Sequence, residues 1–130
     1  MNAMSVELNH TIVHARNQRE TANFLTEILG LPPPEKFYHF LVVRVANGVS
    51  LDVLETDEKF DVQHYAFLVS EKEFDEIFGR IKARGLKYWA DPGRKQENQI
   101  NRNDGGRGVY FADPSGHYLE LLTRPYGSQS

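Results

Sequence analysis

The chain has 130 residues, 40% of them apolar and 25% charged, with a formal net charge of −3, which suits one compact domain and leaves too little chain for two independent ones. No Lys/Arg cluster offers an electrostatic footprint for nucleic acid or an anionic membrane surface, no apolar run approaches the ~20 residues needed to span a bilayer, and the absence of cysteine removes disulfides, thiolate metal sites and thiol nucleophiles. A small-molecule partner is the default that remains, and the opening Met1-Asn2-Ala3-Met4, with no basic and apolar signal segment and with Met4 as an alternative start, points to a cytoplasmic protein.

The run from Glu7 to His14 reads as a strand, with Leu8, His10 and Ile12 on one face and Asn9, Thr11 and Val13 on the other. A helix follows. Asn17 caps it with Glu20 at the third helical position, Phe24, Leu25, Ile28 and Leu29 form its apolar stripe, and Gly30 stops it before Pro32-Pro33-Pro34. Two extended segments, Phe37 to Ala46 and Val49 to Glu55, are joined by the hairpin signal Asn47-Gly48. Thr56 to Asp61 is a polar linker.

The same plan then recurs. His64 to Val69 is a strand, Ser70 and Glu73 form a capping box, Phe74, Ile77, Phe78 and Ile81 make a helical stripe, and Gly85 is the stop. Twenty positions separate His10 from Gly30 and twenty-one separate His64 from Gly85. Ala90 to Gly108 is long, polar and glycine-rich, and is expected to lie over a site as a loop, because loops of that length in compact domains are usually functional or disordered. The closing strands also correspond: Leu51-Asp52-Val53-Leu54 in the first half and Leu119-Glu120-Leu121-Leu122 in the second. This is the pattern of an old duplication.

His10, His64 and Glu120 occupy matched places in the two copies. Two imidazoles and a carboxylate with coordination positions left open suit a catalytic divalent ion. On the last strand Tyr118, Glu120 and Leu122 share a face opposite Leu119 and Leu121, and after Asn47-Gly48 the face of Ser50, Asp52 and Leu54 is opposite Val49, Leu51 and Val53. A lone histidine on a strand is more often a hydrogen-bonded structural residue than a ligand, and His14, His39 and His117 are read that way. Tyr110 is a candidate donor with core packing as its competing role. Arg124 continues the alternation of Glu120 and Leu122 and is a candidate for an anionic substrate group, with a surface ion pair as the alternative. Trp89 and Asn103, beside and within the long loop, are further substrate-binding candidates.

These residues resemble the vicinal oxygen chelate superfamily, which includes glyoxalase I, fosfomycin-thiol transferases, extradiol dioxygenases and the metal-free bleomycin resistance proteins. The resemblance covers nearly the whole chain. It rests on Leu8-Asn9-His10, on His64-Tyr65-Ala66-Phe67, and above all on Asp113-Pro114-Ser115-Gly116-His117-Tyr118-Leu119-Glu120. It implies an α+β fold of two tandem βαβββ modules, about 7–55 and 62–124 within a single domain spanning 5–126, forming a curled mixed sheet around a shared cleft. It also implies metal ligation by His10, His64 and Glu120. Glyoxalase-like members carry a glutamate where this chain has Asp52, which leaves Asp52 as a fourth ligand, a general base or neither.

The resulting expectation is an enzyme dependent on a divalent ion (Fe2+, Mn2+, Zn2+ or Ni2+) whose small substrate chelates the metal through adjacent oxygens, with Asp52 and Tyr110 as the catalytic pair. A lyase or isomerase needs Asp52 in proton transfer; a dioxygenase needs three ligands and ferrous iron; a thiol transferase needs cationic contacts, for which Arg124 and Arg107 are the candidates. A metal-free binding protein of the bleomycin resistance kind is the alternative outside enzymology. The resemblance further implies a homodimer whose sites combine His10 and Asp52 of one chain with His64 and Glu120 of its partner.

Overall fold

The computed structural model describes residues 5–128, so the opening segment and the alternative start at Met4 lie outside the described residues. The chain divides after Phe60 into two compact units, and their secondary structure is α+β, as the sequence predicts.

In the first unit, strand β1 (His10–Ala15) leads into helix α1 (Gln18–Leu29), followed by β2 (Glu35–Phe37), β3 (Phe40–Arg44) and β4 (Ser50–Glu55), in the sheet order β1-β4-β3-β2. The capping predicted from sequence is present: the Asn17 side chain accepts from the backbone N–H of Glu20 at 3.0 Å, and Gly30 ends the helix at φ 71°, a left-handed conformation that costs glycine little. The helix buries Ala22, Phe24, Leu25 and Ile28 against Val13, Val43 and Val53 of the sheet's inner face. One extended run expected from Phe37 to Ala46 is instead a tight hairpin, because Tyr38 takes φ 53° and reverses the chain between β2 and β3.

In the second unit, β5 (His64–Leu68) and α2 (Glu71–Ala83) are followed by β6 (Gly108–Ala112) and β7 (Tyr118–Leu122), in the order β5-β7-β6. The Ser70 and Glu73 capping box is formed, and Phe74, Ile77 and Ile81 are buried. The first unit thus realises βαβββ in full, whereas here the strand after the helix is reduced to Trp89, which bridges Tyr110 on the open side of β6. The ladder stops there because Asp91-Pro92-Gly93 turns the chain back, with the Asp91 carboxylate accepting from the N–H groups of Lys95 and Gln96, and proline has no N–H to extend pairing.

The Asp113-Pro114-Ser115-Gly116 turn sets the register of β6 against β7. Asp113 Oδ1 accepts from the N–H groups of Ser115 and His117 at 3.0 and 2.8 Å, and Gly116 sits at φ 92°. His117 is fully buried, its Nδ1 accepting from the N–H of Gln63, in keeping with a structural role. Asp113→Ala is expected to lower unfolding free energy by about 1–3 kcal/mol, the cost of leaving buried donors without their acceptor. Urea unfolding monitored by circular dichroism checks it; an unchanged midpoint contradicts it.

Candidate metal centre and substrate pocket

Glu120 lies on β7, the central strand of the second sheet, opposite Ala66 of β5 on one side and Tyr110 of β6 on the other. Strand alternation places His64, two residues before Ala66, on the same face, and its Nε2 lies 3.0 Å from Glu120 Oε1. The carboxylate is 1% exposed, while the His64 side chain is 46% exposed. A buried carboxylate beside a half-open imidazole is an unusual arrangement for a protein interior, because a buried anion costs several kcal/mol unless a cation or strong donors meet it. Those two groups are ordinary ligands of borderline divalent metals, so the donor set fits such an ion.

Tyr126 completes the local arrangement. Its hydroxyl lies 2.6 Å from both Glu120 oxygens and 3.3 Å from the Tyr110 hydroxyl. Desolvation of its hydroxyl, then the hydrogen bond to the Glu120 carboxylate, push the Tyr126 phenol well above its usual range; burial likewise raises Tyr110, with a further upward push from Glu120. Both hydroxyls therefore keep their protons at neutral pH and act as donors.

A cavity of about 400 Å³ opens beside this cluster, lined by His64, Trp89, Arg94, Tyr110, Tyr118 and Tyr126 among others. Its walls are mainly aromatic. Tyr110 stacks with the His64 ring at a centroid distance of 6.0 Å, and the Arg94 guanidinium lies 5.0 Å from the Trp89 ring centre and 4.3 Å from that of Tyr118. Arg94 reaches this position from a left-handed backbone, φ 58°, a conformation that costs a non-glycine residue about 1–2 kcal/mol.

The long polar segment is less free than its composition implied. Ala90 N–H donates to Gln96 O, Asn98 N–H to Tyr88 O, and Asn101 pairs with Gly108 in both directions while its side-chain amide donates to Ala90 O. Gly108 has no room for a methyl group, since a Cβ there would come within 2.8 Å of Asn101 Oδ1. Amide exchange is expected to be slow at Ala90, Gln96, Asn98 and Asn101 even without ligand; uniformly fast exchange from 90 to 108 would contradict this picture.

In the first unit His10 and Asp52 share a concavity of about 390 Å³, together with Ile12, Phe37, Phe40 and Arg44. The pairing of His10 with Ser50 and of Ile12 with Asp52 puts them on one face of the sheet. His10 Nδ1 contacts Asn9 Oδ1 at 2.7 Å, which leaves Nε2 available, and the Ser50 hydroxyl donates to Asp52 Oδ1 at 2.9 Å. Within the described residues no group of three or more His, Cys, Asp or Glu side chains gathers at one point.

Of the other candidates, Trp89 and Tyr110 line the cavity of the second unit. Asn103 opens an exposed 3₁₀ turn, and Arg124 follows β7, its Nε 3.4 Å from Ser128 Oγ; neither borders that cavity. Arg107 pairs with Glu71 and Asp75 over the Phe74 ring, on the helix side. Arg94 and Tyr126 were not identified from sequence. Arg94 sits in a segment without periodicity, and Tyr126 lies beyond the last strand, where only its spacing of six from Glu120 connects the two.

Residues 7–121 match the family model of the Glyoxalase/Bleomycin resistance protein/Dioxygenase superfamily. The solved structure of oxidase ChaP-H1 is 60% identical, with a TM-score of 0.93 over 95% of this chain and 99% of that one. Oxidase ChaP-H2 is 56% identical, with a TM-score of 0.95 over 98% and 100%. The glutathione transferase FosA of Serratia marcescens is 29% identical over 91% of this chain and 81% of its own.

Proposed function

The chain belongs to the glyoxalase/bleomycin resistance protein/dioxygenase superfamily and is an enzyme of its metal-dependent type, and from that premise we propose that it is an oxygen-using oxidase acting on a planar, conjugated substrate with two adjacent oxygens. The observation that carries this reading is the aromatic cavity directly beside the His64 and Glu120 pair. The mainly aromatic lining suits a planar ring system better than a compact phosphonate, with the Arg94 guanidinium seated on the Trp89 and Tyr118 rings. The much higher identity to the two oxidases than to the transferase supports the same choice.

His10, His64 and Glu120 are the proposed ligands, and two imidazoles with one carboxylate favour ferrous iron for oxygen chemistry. When bound, the iron supplies the electron transfer to oxygen that no side chain here offers. Asp52 is then free of ligand duty and takes the proton from a substrate hydroxyl at its carboxylate, while the Tyr110 hydroxyl donates to the substrate oxygen beside Glu120. The aromatic lining of the cavity holds the ring plane and excludes water.

We further propose a homodimer in which the first unit of one chain completes the site of the partner's second unit. This reading is supported by the pairing of His10 with Asp52 in one concavity of the first unit and of His64 with Glu120 in the second unit. It is supported too by exposed apolar side chains on the terminal strands' ligand-bearing faces: Ile12 beside His10, and Leu68 beyond His64. A metal-free binding protein is the weaker reading, because a simple aromatic binding box has no use for a buried Glu120.

Oxygen electrode measurements on iron-loaded protein with a panel of catechols and larger fused-ring ortho-diols and hydroxyketones test the reaction class. Iron-dependent oxygen uptake is expected. Turnover of a glyoxalase substrate, with no oxygen consumed on any of the panel, would contradict it.

A further inference from the structure

The carboxylate of Glu120 is already claimed on the side where a cation would bind. Tyr126 Oη is 2.6 Å from each carboxylate oxygen, so it is equidistant from the two and contacts both at once. A divalent ion bonded to a carboxylate sits about 2.0–2.2 Å from its oxygen, and an ion approaching either oxygen competes with this hydroxyl for it. His64 contacts the same carboxylate from Oε1, so the hydroxyl and the imidazole together mimic the partners that a bound cation replaces.

The residue is also mounted so that it can leave. Tyr126 is 64% exposed although its hydroxyl is directed at a buried carboxylate. It rides on a short turn after β7, in which Ser128 donates through both N–H and Oγ to Pro125 O. Besides the hydroxyl itself, Gly127 N–H to Asp104 Oδ1 at 3.2 Å and Arg124 Nε to Ser128 Oγ at 3.4 Å hold this turn, contacts at or beyond the outer end of ordinary hydrogen-bond length.

We propose that Tyr126 is a built-in competitor for the metal: it caps Glu120 in the metal-free protein, keeps the buried carboxylate satisfied, and lowers the affinity of the site by having to be displaced. The inference rests on the reading of Glu120 as a metal ligand. It makes Tyr126 a positioning residue rather than a catalytic one, and predicts that its loss strengthens binding, the reverse of what loss of a residue supporting the ligand would do.

The test is Zn2+ titration against a chromophoric chelator for wild type, Tyr126→Phe and Asp104→Ala, with thermal midpoints to verify folding. Losing a hydrogen bond to a charged group corresponds to roughly ten- to hundredfold, so Tyr126→Phe is expected to bind zinc tighter by about that factor. Asp104→Ala, which frees the turn but keeps the hydroxyl, is expected to tighten binding by about twofold to fivefold, through partial loss of one weak contact. Equal or weaker binding in Tyr126→Phe overturns the proposal, and if that variant does not fold, unchanged or weaker binding in Asp104→Ala does so. Zinc binding by wild type with no change in the variants removes this inference alone; no binding by any form removes the ligand role of Glu120 as well.

Discussion

Glu120→Ala is expected to abolish turnover and to weaken divalent-metal binding by at least about a hundredfold, since even residues that only support a ligand are worth 10- to 100-fold. The same substitution should change the unfolding free energy by only about 1–2 kcal/mol. That modest figure follows from the surroundings: the substitution leaves two donors without their acceptor, yet His64 and Tyr126 both have substantial solvent exposure and can turn to water. It also removes a buried carboxylate whose desolvation opposes folding. Metal titration and urea unfolding of one protein sample separate the two effects. A variant that unfolds without losing affinity per folded molecule would assign Glu120 to the fold and not to the metal.

Mixing two inactive chains, His10→Ala and Glu120→Ala, is expected to recover about a quarter of wild-type activity after co-refolding, because half the dimers are mixed and each mixed dimer has one intact site. The outcome depends on which unit supplies which ligand. If a site takes His10 from one chain and Glu120 from the other, a mixed dimer gathers both defects in one site and neither in the second. If both ligands come from the same chain, every site in the mixture is defective. Subunit exchange must be verified, for instance by differently tagged chains, and an inactive mixture with proven exchange excludes the shared site.

The helices and the strands that carry His10, His64 and Glu120 were legible because their signals are local. Asn17 with Glu20 and Ser70 with Glu73 cap the helices as read, and alternation correctly put Glu120 on the face opposite Leu119 and Leu121, with His64 coming to the same carboxylate. Asp113-Pro114-Ser115-Gly116 marked the turn whose register sets Tyr110 opposite Glu120. What escaped reading was set by less regular chemistry. Tyr38 reverses the chain from a left-handed conformation that aromatic residues rarely adopt, so a continuous strand was the natural inference. The segment after Ala90 has loop composition but is tied down by Asp91 and Asn101, whose side chains bond backbone groups four to eleven residues away. Arg94 and Tyr126 join the site through such irregular paths, and neither period nor motif marks them.

X-ray absorption at the metal edge of protein purified from metal-supplemented medium tests the central claim most directly, with elemental analysis giving the stoichiometry. About one divalent ion per chain is expected, bound by imidazole nitrogen from His10 and His64 and by carboxylate oxygen from Glu120, with the remaining positions held by solvent oxygens. Protein that takes up no ion under these conditions, or an ion whose coordination sphere lacks imidazole, would contradict it.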